Sequence, residues 1–232
     1  MAEKLLLFDI DGTLLSTRGV PRKAMYQALV ARYGNFNYDD NFNFSGRTDW
    51  EIVEHLLRFA QVEQKITKVL IHEILNNFVF ELKKVLHDGF QPLVYPGIRE
   101  LLSHLVSREN IVLGLVTGNV KEGARLKLTC ARLNDYFSIG GFGDDSNNRN
   151  DLPPLAIRRA CQHYNKSYHK NDILIIGDSV HDITCAKVNG LRSLAVATGW
   201  TPYSELQEAS PDFLIKDFSD INKSLSILLG CS

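Results

Sequence analysis

Asp9 and Asp11 stand one residue apart at the end of an apolar run, "LLLFDIDGTLL", with Gly12 and Thr13 directly behind them. Two carboxylates so close repel each other, and a buried strand gains nothing by ending in them. Two later apolar runs end in a similar way. "IVLGLVTGN" delivers Thr117, Gly118 and Asn119, and "ILIIGDSVHD" delivers Asp178, Ser179 and Asp182. In an open parallel sheet, ligands sit beyond the carboxyl ends of the strands. These acids, hydroxyls and glycines are therefore expected to converge on one edge. Left bare, that much negative charge is costly to hold together. A bound cation resolves the conflict, and an all-oxygen donor set suits Mg²⁺ far better than zinc.

Such a convergence needs strands and helices in alternation. Short continuous apolar runs at 4–8, 111–116, 173–176 and 192–196 read as strands covered on both faces, with shorter ones near 137–139 and 213–215. Helical spacing over 98–106, 121–133, 153–164 and 180–188 separates them. Strands alternating with helices imply a parallel sheet wrapped on both sides, an α/β architecture. The block from about Leu15 to Val94 is different, with helical patterns and no convincing strand. Pro21 suits a first helical position and Gly34 a stop. "NFNYDDNFNFSGR" reads as a loop. Thr48 with Glu51 three residues on makes a capping box, and a long helical pattern runs from about Val62 to Leu86, ending near Asp88-Gly89. The domain reading is a core of residues 1–15 and 95–232, interrupted by a helical domain of residues 16–94.

Composition narrows the function classes. The 232 residues are 44% hydrophobic and 23% charged, which suits a globular chain with a real core and argues against disorder. Basic and acidic residues balance at 26 to 27, unlike a protein built to grip nucleic acid. Cys130, Cys161, Cys185 and Cys231 lack the C-x-x-C spacing of a thiol metal site or redox pair. The first apolar run is too short for the core of a signal peptide, and nothing approaches the roughly 18 apolar residues of a membrane span. The expectation is a cytoplasmic protein without nucleic-acid or membrane partners.

"DIDGT", the strand-end threonine of "VTGN" and "GDSVHD" together resemble the motifs of the haloacid dehalogenase superfamily, most of whose members are Mg²⁺-dependent phosphohydrolases. The resemblance covers roughly residues 4–15 and 96–220, and the insertion matches the helical cap of one branch, which holds phosphoglycolate phosphatase and β-phosphoglucomutase. It implies a Rossmann-like core with an inserted cap. It also implies cleavage of small phosphate monoesters through an aspartyl-phosphate. On that resemblance Asp9 is the nucleophile and Asp11 the general acid and base, its backbone carbonyl also touching the metal. Gly12 permits a close backbone approach to the ligand. Thr117 bonds a phosphoryl oxygen, helped by the amides of Gly118 and Asn119. Asp178 is a metal ligand, and Asp182 orients metal-bound water or a neighbouring cation. The family's usual lysine is missing from "GDDSNNRNDLPPLAIRRA", where Arg149 takes its place; Arg158 and Arg159 read as solvent-facing, and so does His181.

"FSGRTDWEI" puts Arg47, Thr48 and Asp49 at a loop-to-helix junction of the cap, where they are expected either to meet the substrate or simply to start a helix around a packed Trp50. The expected partner is a small phosphorylated metabolite, and the expected assembly a monomer or small homo-oligomer. Asp11 argues against dehalogenation, since expelling halide needs no proton donor. The alternatives are mutase-like phosphoryl transfer, as in β-phosphoglucomutase, and a non-enzymatic phospho-acceptor or scaffold relative.

Overall fold

The computed structural model describes residues 3–62, 65–86 and 89–230. Strand β1 (Lys4–Phe8) leads to a short β2 (Leu15–Ser16), then to helices α1 (Val20–Tyr33), α2 (Asp49–Phe59) and α3 (Lys68–Leu86). A second short strand, β3 (Leu93–Val94), returns the chain to α4 (Ile98–Val106), β4 (Ile111–Val116), α5 (Lys121–Cys130) and β5 (Ile139–Gly141). The remainder is α6 (Leu152–Tyr164), β6 (Ile173–Gly177), α7 (Val180–Asn189), β7 (Arg192–Val196), α8 (Tyr203–Glu208), β8 (Phe213–Ile215) and α9 (Ile221–Leu229).

Six strands form one sheet in the order β5-β4-β1-β6-β7-β8, and every neighbouring pair is parallel. Side chains alternate between the two faces with the period of two that a pleated strand imposes. Leu6 and Phe8 of β1, Leu113 and Leu115 of β4, and Leu174 and Ile176 of β6 pack with α4 and α5 on one face. Leu5, Leu7, Val112, Val116, Ile173 and Ile175 face α6 and α7 on the other. Each strand is buried on both sides, which is why the sequence shows unbroken apolar runs rather than alternation. β1 lies between β4 and β6, so the chain winds outward from it in both directions. The carboxyl ends of these three strands are neighbours, and a ligand site belongs at such a switch point.

Helices α1, α2 and α3 bury a separate cluster that includes Met25, Leu29, Val53, Leu57, Ile74 and Phe78. The connecting loop at 35–47 carries no regular structure but is held by rings, with Tyr26 stacked on Tyr38 at 4.0 Å and Arg22 lying 4.1 Å over Phe44. β2 pairs antiparallel with β3, and the Tyr95 amide donates to Leu14 oxygen at 3.1 Å, so the chain leaves and re-enters the core at one place. These two strands are too short to leave a pattern in the sequence.

Several boundaries differ from the sequence reading for local reasons. The helix expected from Val62 begins at Lys68, because the Thr67 hydroxyl accepts from the Leu70 amide at 3.2 Å and starts it there. Residues 63 and 64 of that expected span, and Asp88 at its end, lie outside the described residues. The helix expected to reach Leu133 stops at Cys130, where Arg132 takes a φ of 55° and the Leu133 amide turns back to Leu128 oxygen. The strand expected near Phe137 falls at Ile139–Gly141, while the Phe137 ring packs edge-on against Phe8 at 5.9 Å. Helices α8 and α9 were not anticipated. No helix among the described residues is long and apolar enough to cross a membrane.

Truncating Phe78 tests whether the inserted helices carry their own core. The ring is 1% exposed, and Phe78→Ala is expected to cost about 3–5 kcal/mol. Native-state hydrogen exchange should show lost protection in α1–α3 while the β1 amides keep theirs; equal loss in both would contradict a separate core.

Candidate active site

The three strand ends do bring their polar residues together. One carboxylate oxygen each from Asp9, Asp178 and Asp182 lie within 4.8 Å of one another, and all three residues are buried. Asp9 follows β1 and is fixed by its amide, which donates to Ile176 oxygen at 2.8 Å. Asp178 follows β6 and accepts from the Thr13 hydroxyl at 3.1 Å. Asp182 sits in the first turn of α7, where it and Ser179 form a reciprocal capping box. Its second oxygen accepts from Arg149 Nη2 at 2.5 Å, so both oxygens are engaged.

Arg149 is the cation of this cluster. It opens a single turn of tight helix (Arg149–Asp151) just before α6, is 6% exposed, and also reaches Asp9 at 3.3 Å. Burial works against its charge, but Asp182 and Asp9 outweigh burial and hold it protonated beyond its ordinary range. Its Nε is buried with no hydrogen-bond partner among the described residues, an unspent donor beside the acids. Burial pushes the Asp9 carboxyl up to about 6, with Arg149 and a Thr117 hydrogen bond opposing. Burial also drives Asp178 well above the carboxylate range, and the charges of Asp9 and Asp182 add to it. One guanidinium does not balance three buried acids. The donors are all oxygen, which is the chemistry of a site for a hard divalent cation.

Asp11 points elsewhere. Its carboxylate accepts from Lys127 Nζ at 2.6 Å, Asn119 Nδ2 at 2.8 Å and the Thr17 hydroxyl at 3.4 Å, so its side chain is no part of the acid cluster. Asn119 in turn donates to Thr117 Oγ1 at 2.7 Å, linking the second strand end to Asp11 through a side chain rather than through its amide. Gly12 has a φ of 88°, and a Cβ there would come within 2.2 Å of Asp178 Oδ2, so both conformation and space demand glycine. The loop after β7 supports the same corner: Thr198 Oγ1 donates to Gly12 oxygen at 2.5 Å.

The inserted helices lie directly on this edge. A Cβ at Gly118 would meet Arg47 oxygen at 1.9 Å, so the residue's side-chain space is filled by the incoming loop. The Asp49 amide donates to Gly118 oxygen at 2.7 Å, and the Asp49 carboxylate accepts from the Val120 amide at 2.8 Å, ahead of α5. Thr48 accepts from the Glu51 amide at 3.1 Å and donates to Asn147 oxygen at 3.1 Å. Its hydroxyl thus serves both as a helix cap and as a tether to the loop before Arg149. The Glu51 side chain does not complete the expected capping box. It pairs with Arg47, whose guanidinium also lies 4.9 Å over the Phe42 ring.

His181 is exposed, as expected. Arg158 is exposed too, but Arg159 is not merely solvent-facing: it holds Asp145 through two hydrogen bonds and Gly140 oxygen at 2.7 Å, which pins the loop ahead of Arg149. Sequence reasoning missed Lys127, and it placed Asp49 at the loop-to-helix junction without its buried bond to the Val120 amide. The signal for Lys127 is visible afterwards, since Val120, Gly123, Lys127 and Cys130 fall at spacings of three and four along one side of α5.

With fold and geometry in hand, comparisons with known proteins agree. Residues 6–196 match the model of the haloacid dehalogenase-like hydrolases, so the chain belongs to that family and is an enzyme of the hydrolase class. It is 26% identical over 222 residues to pyrophosphatase PpaX of Oceanobacillus iheyensis, covering 95% of this chain and 96% of that one. It is 24% identical to phosphoglycolate phosphatase of Photorhabdus laumondii, covering 97% and 93%. Among solved structures, CbbY of Rhodobacter sphaeroides in complex with xylulose-(1,5)bisphosphate superposes with a TM-score of 0.74 at 21% identity, over 94% of this chain and 96% of that one.

Burial pushes the Asp49 carboxyl from 3.8 up to about 6, against the Lys127 charge and the Val120 amide. A raised folded-state value means the folded chain favours the protonated form. The associated stability is fully present below the unfolded value near 3.8 and is lost as pH rises through about 6. Asp49→Asn carries no such cost. Urea unfolding across pH 4 to 8 should show the variant gaining on the parent up to about pH 6.5 and then levelling, at about 1–3 kcal/mol. Parallel curves would mean that Asp49 keeps an ordinary carboxylate value in the folded chain and carries no burial cost.

Proposed function

We propose that this enzyme hydrolyses small phosphate compounds by in-line attack of Asp9 on phosphorus. The observation that carries the reading is the division of labour between Asp9 and Asp11. One acid is buried against Arg149 and Thr117, while the other, two residues away, is held apart by Lys127 and Asn119.

An Asp9 oxygen forms a bond to phosphorus as the bond to the leaving oxygen breaks. Asp11 gives that oxygen a proton. Water then attacks the acyl phosphate, Asp11 takes the water's proton, and inorganic phosphate leaves with Asp9 restored. The Thr117 hydroxyl and the Arg149 guanidinium face the charge that spreads over the phosphoryl oxygens in the transition state. The unspent Nε of Arg149 supports that part. Asp9 and Asp178, with the Asp11 backbone carbonyl, are the groups that would hold Mg²⁺, and Asp182 orients Arg149 beside them. A bound Mg²⁺ would offset the repulsion between a nucleophilic carboxylate and an anionic substrate.

Residues 16–94 act as a cap that excludes water from the edge of the sheet. The tight seam with Gly118 favours a small substrate, in keeping with the compounds named for the relatives. The loop of Arg47 crosses the end of β4, and Arg47 would meet the leaving group by giving up its pairing with Glu51.

With p-nitrophenyl phosphate as substrate, Asp9→Asn should lose turnover by on the order of 10³-fold or more while unfolding normally in urea. Substantial residual turnover would remove Asp9 as nucleophile. Arg149→Ala should lose on the order of 10²-fold, whereas Arg158→Ala changes turnover by less than about twofold. Equal mild effects would take Arg149 out of the reaction. Independently of activity, MgCl₂ should raise the melting temperature of the parent in a concentration-dependent way and leave that of Asp178→Asn unmoved; no shift in the parent would contradict the metal site.

A further inference from the structure

Lys127 is 2% exposed, and its Nζ touches Asp11 at 2.6 Å and the Asn119 side-chain oxygen. It comes from α5, ten residues beyond Thr117, and lies on the side of that helix that meets the inserted helices. Neighbours on that side show the contact: a Cβ at Gly123 would sit 3.6 Å from Leu82 and 3.9 Å from Phe78, and the Cys130 thiol donates to Leu86 oxygen at 3.2 Å. Asp49 closes the same seam from the start of α2.

A buried lysine is expensive, because its ammonium leaves water and its stem loses rotamer freedom. For stability alone an apolar residue at this place would serve as well or better. The ammonium instead fixes one oxygen of Asp11 and one of Asn119, and Asn119 shares its amide nitrogen between Asp11 and Thr117. Asp11 is 38% exposed along its side chain and sits on a glycine-linked turn, so by itself it has freedom to swing. A general acid works only when its proton reaches the leaving oxygen, within about 3 Å.

We infer that Lys127 is a positioning residue, which aims Asp11 at the leaving-group oxygen and does so in the cap-docked form. The inference rests on the phosphohydrolase reading. It also gives the cap a way to act on the chemistry without touching it, since the lysine stem is packed where the cap meets α5.

The test is the dependence of turnover on the leaving group. A nitrophenolate departs without help, whereas an alkoxide must be protonated as it leaves. Lys127→Met should lower kcat/KM, which reports the steps up to departure of the leaving group, by about 10–100-fold for an alkyl phosphate, part of what a general acid supplies, and by less than about threefold for p-nitrophenyl phosphate. Slower activation of water at the acyl phosphate is common to both esters and enters kcat alone. Asp11→Asn should show the same selectivity in kcat/KM, and adding Lys127→Met to it should cost little more, as expected of residues acting as one unit. Lys127→Gln, which keeps a donor in the slot, replaces the methionine variant if that one does not fold, and the same selectivity is expected of it. Equal losses of kcat/KM on both esters, or none on either, would overturn the inference. A parent enzyme inactive on both esters would instead sink the phosphohydrolase reading.

Discussion

Three buried carboxylates share one buried guanidinium, and the architecture around β1 follows from keeping them together. Asp9, Asp178 and Asp182 would separate if their strands were free to move. They are held because β1, β4 and β6 are locked in register by a core on each face, and because Arg149 bridges two of the acids. Close backbone approach does the rest. Gly12 lets the turn after β1 pass against Asp178, and a Cβ at Gly199 would fall 1.6 Å from the same carboxylate. The arrangement holds negative charge in excess at one point of the sheet edge, which is a poor choice for stability and a good one for a cation and an anionic ligand.

The inserted helices meet that edge through polar bonds and, beside them, through an apolar contact with α5 that takes in Val120. Asp49, Thr48 and the Arg47 carbonyl meet the ends of β4 and the loop before Arg149, while Phe78 and Leu82 rest on Gly123 of α5. Hydrogen bonds to main-chain groups exchange for bonds to water on opening, so the polar part of the seam contributes only modestly to holding it. The family membership, the fold and the chemistry of the strand ends thus agree on one location.

Much of this was legible in the residues. Strands buried on both faces announce themselves as unbroken apolar runs, and an acid at the end of such a run has no structural reason to be there. That logic finds Asp9, Asp178 and Thr117 without coordinates. It fails where a residue's role depends on a partner distant in sequence. Lys127 and Asp11 are separated by over a hundred positions, and a lysine inside a helical pattern reads as solvated until something is known to cover it. Thr48 is the opposite case: its local pattern alone was enough to describe it as a helix cap. β2 and β3 escaped notice because two residues are too few for a period to appear.

That small ribbon has a consequence of its own. Ser16 and Leu93 are paired across it, and neighbouring strands stand only about 5 Å apart. A two-residue hairpin turn could join them. Along the chain, everything from Thr17 to Pro92 is therefore one insert that leaves and rejoins the parent sheet at a single place, its contacts with Gly118, Val120 and Gly123 being made through space. Exchanging such an insert between otherwise similar sheets would leave the reacting groups in register and change what is admitted to them.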